Sequence, residues 1–239
     1  AVKLKFMTKV IAFGDSIMKG VVMKKSQNQK ETKYTVSESN FSNEVERRLG
    51  FEVVNYGKFG STIENGAKVI DRNLDKIQNA DYALLEYGGN DCDFHWAEIA
   101  NNPTSEHNPK TSLKEFVRRY CEVIEKIKSM GTKPLLLSLP PLCAERYFDY
   151  FSKDLSGDER NRILNWLGGN KQRISNWHQS YNLELFKIAM NEQIPIIDIT
   201  TSFLQKVDLF DYICMDGIHP NDKGQKLIGE ILCDYFEKN

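Results

Sequence analysis

The sequence predicts an α/β protein in which a parallel β-sheet lies between two layers of helices. Five short runs rich in Val, Ile and Leu recur along the chain, and their residues are apolar in succession rather than alternately, which is typical of strands buried on both faces. Helical patterns separate these runs, and such alternation favours parallel strands joined by helical crossovers. The predicted strands cover residues 9–13, 52–55, 82–87, 134–139 and 194–199.

The clearest of the predicted helices has apolar residues at steps of three and four and ends at Gly131. Its apolar face consists of Leu113, Phe116, Val117, Tyr120, Val123, Ile124 and Ile127. Similar patterns predict helices over residues 41–49, 62–77, 161–191 and 223–236.

Two stretches are longer than the connections of an α/β unit need to be. Residues 92–111 are polar and contain two prolines, and residues 140–158 carry an aromatic cluster. We expect both to be long irregular segments at the rim of a site. The aromatic cluster could line a substrate pocket or cap the core, and the sequence leaves both options open. It consists of Tyr147, Phe148, Tyr150 and Phe151.

Nothing in the sequence divides the chain into separate units. Its 239 residues fit one large domain or two small ones. There is no internal repeat and no linker rich in Pro, Gly or Ser. Residues 1–239 are therefore expected to form a single domain.

The composition excludes several classes of protein. With 32 Lys+Arg, 33 Asp+Glu and a net charge of −1, the chain has no charge excess to hold a nucleic-acid backbone. The 41% hydrophobic and 27% charged residues are typical of globular proteins rather than disordered, collagen-like or coiled-coil ones. No apolar run approaches the roughly 20 residues that cross a bilayer, so we expect no transmembrane segment. The sequence does not decide the oligomeric state.

The cysteines and the first residues predict a cytoplasmic protein. Five cysteines occur without a Cys-x-x-Cys pair and without histidines at zinc-ligand spacing, which indicates reduced thiols and no metal site. Residues 1–10 alternate Lys with apolar residues and lack the apolar stretch of a secretory signal. A signal removed before this sequence begins would leave the same sequence.

Two short motifs could supply a nucleophile and its base. Ser16 follows Gly14 and Asp15 at the end of the first predicted strand, and ligands of open α/β sheets bind at the carboxyl ends of strands. Asp216 and His219 precede the last predicted helix. A nucleophilic hydroxyl needs a base, and an imidazole base needs a carboxylate to orient it. Each motif alone is also compatible with an ordinary turn or helix cap.

Two further motifs could stabilise an oxyanion. Asn90 follows the third predicted strand, and its carboxamide could donate a hydrogen bond. Gly60 lies between the second strand and a helix, where a backbone N–H could do the same. Both motifs also fit ordinary turns. Of the other histidines, His95 could contact a substrate although a structural role is favoured, and His107 and His178 are predicted to lie at the surface or to pack between helices.

Together the four motifs resemble the SGNH hydrolases, also called GDSL-type esterases and lipases. The motifs occur in the family's order and extend from Gly14 to His219, with Ile17 where the name motif has Leu. The α/β-hydrolase pattern Gly-x-Ser-x-Gly fits poorly, because its second glycine is missing and the serine follows the first strand. Phosphate-binding loops and His-Glu-x-x-His are absent from the sequence.

The resemblance implies a three-layer α/β/α, flavodoxin-like fold with five parallel strands in the order 2-1-3-4-5. It implies a catalytic triad of Ser16, His219 and Asp216, and an oxyanion hole formed by the backbone N–H groups of Ser16 and Gly60 and the side chain of Asn90. It also implies that no metal or cofactor takes part.

The activity expected from this resemblance is hydrolysis of a small-molecule carboxylic ester through an acyl-enzyme. The acyl group would be small or medium-sized, as in O-acetyl esters of carbohydrates or short-chain acyl esters. Two alternatives remain open, a lysophospholipase or lipase-type acylhydrolase and a non-catalytic binding module on the same fold.

Overall fold

The structure is a computed structural model that describes residues 7–25 and 32–239. The strands are β1 (Lys9–Gly14), β2 (Val21–Lys25), β3 (Thr32–Val36), β4 (Glu52–Asn55), β5 (Tyr82–Glu86), β6 (Lys133–Leu137) and β7 (Ile196–Ile197). The helices are α1 (Ser16–Lys19), α2 (Phe41–Leu49), α3 (Ile63–Asp71), α4 (Leu74–Gln78), α5 (Trp96–Asn101), α6 (Leu113–Ser129), α7 (Ala144–Phe151), α8 (Gly157–Trp166), α9 (Gln172–Glu192), α10 (Thr200–Leu204) and α11 (Asp222–Lys238). A 3₁₀ turn covers Leu209–Asp211.

Five strands form one parallel sheet in the order β4-β1-β5-β6-β7. Counted along the chain without the β2–β3 pair, this is the order 2-1-3-4-5, so the predicted fold class is confirmed. The last residue of β1, Gly14, pairs with Glu86, the last residue of β5. The carboxyl ends of these two strands therefore lie side by side, and the loops that follow them share one edge of the sheet.

Helices cover both faces of the sheet. The core on one face combines side chains of β1, β5 and β6 with those of α3, α6 and α9. The core on the other face combines alternate residues of the same strands with α2, α10 and α11. The strands thus bury both faces, which explains why their residues are apolar in succession.

A third cluster of buried side chains lies beside the sheet rather than against it. It joins α5, α7, α8 and the beginning of α9 through aromatic and aliphatic residues. The two segments predicted as irregular supply α5 and α7, so those predictions were wrong for Trp96–Asn101 and Ala144–Phe151. Prolines beside both helices obscured the helical pattern in the sequence.

Two predicted helices are each divided in the structure. Residues 62–77 form α3 and α4, and residues 161–191 contain most of α8 and α9. The second division falls at Gly168 and Gly169, which both have positive φ values that residues inside a helix do not adopt. The predicted strand 194–199 is reduced to the two residues of β7.

The hairpin of β2 and β3 was not predicted. Its strands pair antiparallel outside the main sheet, with Met23 opposite Tyr34. It is attached to the C-terminal part of the chain, because the Met23 backbone N–H donates to Cys214 Sγ at 3.3 Å and Lys24 forms an ion pair with Asp222 at 3.4 Å.

All five cysteines are free, as the sequence predicted. Among the residues that the structure describes, no helix has the length and apolar character needed to cross a membrane. The single-domain organisation stays a prediction.

Candidate active site

Ser16 lies in a tight turn at the carboxyl end of β1. Asp15 caps α1, because its Oδ1 accepts the backbone N–H of Ile17 at 2.8 Å. A Cβ atom at Gly14 would lie 2.4 Å from the Cβ of Met18 and 2.7 Å from the carbonyl oxygen of Glu86, so only glycine fits there. The turn thereby holds Ser16 against the end of the sheet, where it is 5% exposed.

The structure brings Ser16, His219 and Asp216 into one hydrogen-bonded row. Ser16 Oγ lies 2.8 Å from His219 Nε2, and His219 Nδ1 lies 2.6 Å from Asp216 Oδ2. The other carboxylate oxygen, Asp216 Oδ1, accepts the backbone N–H groups of Ile218 and His219, both at 3.1 Å. Two residues separated by 203 positions in the chain thus come into direct contact.

Asp216 is fully buried yet remains a carboxylate. Burial raises the pKa of its carboxyl group, but the hydrogen bonds and charge of His219 together with the backbone N–H groups outweigh burial, so the pKa is lowered overall. An ionised Asp216 can accept from His219 Nδ1–H, which leaves Nε2 unprotonated toward the serine.

Tyr34 of the β2–β3 hairpin adds a fourth member to this row. Its hydroxyl lies 3.0 Å from Asp216 Oδ2 and 2.9 Å from the hydroxyl of Tyr150. Burial, followed by the contacts with Tyr150 and Asp216, raises the pKa of Tyr34, so this hydroxyl keeps its proton. Since ionised Asp216 can only accept, Tyr34 donates to Asp216 and Tyr150 donates to Tyr34.

Tyr34 could not be predicted from the sequence, because β3 lies in a short exposed hairpin without a clear pattern. Tyr150 belongs to the aromatic cluster for which the sequence left two roles open. Both Tyr150 and Tyr147 line the cavity beside Ser16, so part of that cluster forms a pocket wall.

Asn90 lies in the loop after β5, and its carboxamide is held by Asp15. Asn90 Nδ2 donates to Asp15 Oδ2 at 2.9 Å, which leaves its second amide proton available to a ligand. The neighbouring Asp91 accepts the backbone N–H of Ile63 at 3.1 Å and so fixes the start of α3 against this loop. Burial raises the pKa of Asp91 to about 7.

Gly60 is less closely associated with the other predicted residues. It is exposed in the turn between β4 and α3, and it is not among the described residues that line the cavity. Its neighbour Phe59 does line the cavity and stacks on His219, with ring centroids 5.5 Å apart.

A second carboxyl group, Glu86, is fully buried at the end of β5, beside the Ser16 turn, and its two oxygens have no hydrogen-bond partner among the described residues. Burial and the nearby charge of Asp15 raise the pKa of Glu86 well above its usual value. The pKa of Asp15 is raised by burial too, but the hydrogen bonds of Ile17 and Asn90 oppose that change. Glu86 therefore keeps its proton, since two adjacent buried negative charges would repel each other.

The row of polar groups opens into a cavity of about 870 Å³. One end is formed by Ser16, Asn90 and His219, and the remainder is formed largely by aromatic side chains of the third cluster. Its aromatic residues are Tyr34, Phe59, Phe94, Trp96, Tyr147, Tyr150, Phe151, Trp166 and Trp177.

The remaining histidines occupy three different positions. His95 is exposed at the start of α5, and His107 is half-buried with Nε2 2.7 Å from the Asn102 carbonyl oxygen. His178 lines the cavity from α9, where burial lowers its pKa to about 4 and keeps it neutral. Within the described part of the chain, no group of three or more His, Cys, Asp or Glu side chains is arranged to hold a metal ion.

The sheet and the chemistry of this edge fit the class of carboxylic ester hydrolases. Residues 10–232 match the family model described as GDSL-like Lipase/Acylhydrolase, and the chain belongs to this family. Comparison with curated proteins gives no match.

Solved structures of low sequence identity share the fold. A lipase/acylhydrolase from Enterococcus faecalis is 18% identical with a TM-score of 0.62, covering 97% of this chain and 96% of that one. The acetyl xylan esterase AlAXEase is 20% identical with a TM-score of 0.59, covering 95% and 98%. Est24, a carbohydrate acetylesterase from Sinorhizobium meliloti, is 15% identical with a TM-score of 0.61, covering 97% and 99%.

Replacing Glu86 by Gln should change how stability depends on pH. In the wild type, unfolding releases the Glu86 proton at any pH above the ordinary pKa of 4.5, so the free energy of unfolding falls as pH rises toward the raised folded pKa. Gln has nearly the same size and shape as Glu but cannot ionise. We therefore expect the melting temperature of Glu86→Gln, relative to wild type, to increase from pH 5 to pH 9.

The control for this measurement is Glu106→Gln, which changes an exposed glutamate in a loop. Its melting curve should follow the wild type at every pH. Parallel pH dependences for Glu86→Gln and the wild type would show that Glu86 is already ionised in the folded protein.

Proposed function

We propose that this protein is a serine esterase in which Ser16 is the nucleophile, His219 the general base and Asp216 the group that orients the base. The observation that carries the proposal is the continuous row from Ser16 Oγ to His219 Nε2 at 2.8 Å and from His219 Nδ1 to Asp216 Oδ2 at 2.6 Å. A non-catalytic binding module would have no need to keep all three side chains in contact.

In the first half of the reaction, Ser16 Oγ attacks the ester carbonyl while His219 Nε2 takes the hydroxyl proton. Asp216 stabilises the imidazolium that results. The carbonyl oxygen becomes an oxyanion, which the second amide proton of Asn90 and the backbone N–H groups of Ser16 and Gly60 would stabilise. These donors act on charge that exists only in the transition state and the tetrahedral intermediate, so they increase the rate rather than only the binding.

This first half ends when the imidazolium protonates the alcohol oxygen and the alcohol leaves, with the acyl group on Ser16. Water then attacks the acyl-enzyme while His219 takes its proton, and collapse of the second intermediate returns the proton to Ser16. The carboxylic acid leaves and the starting state is restored.

Tyr34 is proposed as a positioning residue in this reaction. Its hydroxyl donates to the same Asp216 oxygen that accepts from His219, and its ring lies 5.1 Å from the His219 ring. These two contacts restrict Asp216 and His219 to one relative orientation.

For the substrate we propose an ester of a small or medium acyl group. The names of two structural neighbours, an acetyl xylan esterase and a carbohydrate acetylesterase, favour O-acetyl esters. The aromatic cavity favours the second candidate, a lipase-type acylhydrolase that accepts a larger apolar group.

The first test of the proposal is Ser16→Ala. Removing the nucleophile should reduce hydrolysis of p-nitrophenyl acetate by up to roughly 10⁶-fold, the scale known for a serine hydrolase without its serine. The control Ser129→Ala, at the exposed end of α6, should keep wild-type activity. Unchanged turnover by a folded Ser16→Ala variant would overturn the assignment of the nucleophile.

Replacing Asn90 by Ala should reduce kcat by about 10²–10³-fold with little change in KM, because an oxyanion donor acts mainly in the transition state. Steady-state kinetics on the same ester gives both constants. Asn176→Ala is the matched control, since Asn176 also borders the cavity but is exposed on α9. A raised KM with unchanged kcat would assign Asn90 to substrate binding instead.

Tyr34→Phe should keep the ring against His219 and remove the hydroxyl that donates a hydrogen bond to Asp216. We expect kcat to fall by about tenfold, the scale of one hydrogen bond to a charged group. Without this donor, Asp216 keeps more of its negative charge and stabilises the imidazolium more strongly. The acid limb of the pH profile of kcat/KM should therefore move to higher pH.

Tyr150→Phe is the comparison variant. It leaves the hydroxyl of Tyr34 in place, so it should move the acid limb less than Tyr34→Phe does. An acid limb at the wild-type position in Tyr34→Phe would show that the hydroxyl does not act on the base.

A further inference from the structure

The cavity beside Ser16 is larger than an acetyl group needs. Its volume of about 870 Å³ lies in the range of pockets that enclose most of a drug-sized ligand. It extends away from Ser16 between α5, α7, α8 and α9, which form the third cluster of buried side chains. A substrate that places only a methyl group in this volume would leave most of the apolar wall in contact with water.

Several polar atoms of the aromatic wall are already hydrogen-bonded within the protein. The Trp96 indole N–H donates to Asp93 Oδ1 at 2.9 Å, and the Trp177 indole N–H donates to the Cys92 carbonyl oxygen at 2.9 Å. The Tyr147 hydroxyl also donates to Asp93, at 2.7 Å. The remaining negative charge of Asp93 is compensated by Lys110, whose Nζ lies 2.9 Å from Oδ2.

These contacts occupy polar atoms on the side of the wall formed by α5 and α7. Arg173, Asn176 and His178 of α9 also line the cavity, but most of the remaining surface is apolar, from side chains such as Phe94, Trp96, Phe151, Trp166 and Ile174. Such a wall favours hydrocarbon over carbohydrate.

The positions of Asn90 and His219 indicate which half of an ester this surface contacts. The wall continues along the chain from Asn90 through Phe94 to α5. His219, which protonates the leaving alcohol, packs instead against Tyr34 and Phe59, and Phe59 is 50% exposed. The alcohol therefore leaves toward solvent, and the acyl group extends into the aromatic cavity.

We infer that the aromatic cavity is an acyl-binding pocket and that the preferred substrates are esters of medium-chain fatty acids or similarly sized hydrophobic acids, rather than acetyl esters. This inference rests on the proposed function and specifies the acid component of its substrate. The reaction itself is unchanged, with the acyl chain held in the pocket through both half-reactions.

The decisive experiment uses two isomeric esters with the apolar chain on opposite sides of the ester group. Ethyl hexanoate carries the longer chain on the acid, and hexyl acetate carries it on the alcohol. Each buried methylene should increase kcat/KM by about fourfold. We expect ethyl hexanoate to be hydrolysed at least tenfold more efficiently than hexyl acetate, and p-nitrophenyl octanoate to exceed p-nitrophenyl acetate in the same way.

A variant that fills the cavity tests whether the cavity wall causes the preference for longer acyl chains. Ile174 is 7% exposed and lines the cavity from α9, so Ile174→Trp should lower the octanoate-to-acetate ratio of kcat/KM at least tenfold. Leu183→Trp is the control on the same helix, since Leu183 is 57% exposed and lies outside the cavity. Ile174→Ala, which enlarges the cavity, should move the optimum to longer chains and keeps the test available if Ile174→Trp does not fold.

The outcomes separate this inference from the proposed function. A preference for acetate or for hexyl acetate, with all activity still dependent on Ser16, would overturn the acyl pocket and leave the esterase intact. Activity that survives in Ser16→Ala would overturn the esterase mechanism itself. An octanoate-to-acetate ratio that Ile174→Trp and Ile174→Ala leave unchanged would also overturn the acyl pocket.

Discussion

The contact between the buried carboxyl groups of Asp15 and Glu86 is the interaction on which the site depends. β1 and β5 end side by side, and these two groups meet where the strands end. Asp15 uses one oxygen for the backbone N–H of Ile17 and the other for the carboxamide of Asn90. A single carboxylate therefore aligns the turn of the proposed nucleophile with the proposed oxyanion donor.

The pair of acids carries a single negative charge. Two adjacent buried charges would repel each other and lack solvation, so Glu86 stays neutral and the charge lies on Asp15. The hydrogen bonds that Asp15 accepts from Ile17 and Asn90 favour this distribution of charge, and they hold the Ser16 turn beside Asn90.

Much of the fold and of the site could be predicted because the relevant constraints are local in the sequence. β1 and β5 are buried on both faces and therefore read as continuous apolar runs, and Ser16 and Asn90 follow them directly. Asp216 and His219 contact each other within four residues, so their spacing made a pair possible, although the motif alone also fitted an ordinary turn. The contact between Ser16 and His219 required only that both lie at the carboxyl edge of the same sheet.

The parts that could not be predicted depend on contacts between distant segments. Tyr34 reaches Asp216 only because the β2–β3 hairpin folds across the site, and an exposed hairpin leaves a weak pattern in the sequence. The start of α7 is obscured in the same way by Pro140 and Pro141, although Ala144, Tyr147 and Phe148 then form a regular buried face. Gly60 was predicted by its motif, but its exposure depends on how the whole turn packs.

The loop that carries the proposed base, His219, packs directly on α7, which forms part of the cavity wall. Gly217 has a φ of +79°, and a Cβ atom there would lie 2.4 Å from the backbone nitrogen of Tyr147. The Cys143 backbone N–H donates to the Gly217 carbonyl oxygen at 2.8 Å, so the two backbones are in contact. Asp216 and His219 therefore cannot move independently of α7.

The same helix links the proposed base, His219, to the side chains of the cavity wall. α7 supplies Tyr147, which is bonded to Asp93 in the wall, and Tyr150, which is bonded to Tyr34 and through it to Asp216. A ligand that shifts the aromatic wall must also shift one end of this hydrogen-bonded chain. Because the wall and the proposed base both contact α7, an acyl group that fills the cavity well would hold His219 in the orientation proposed for catalysis, and a poorly fitting one would leave that orientation less restricted.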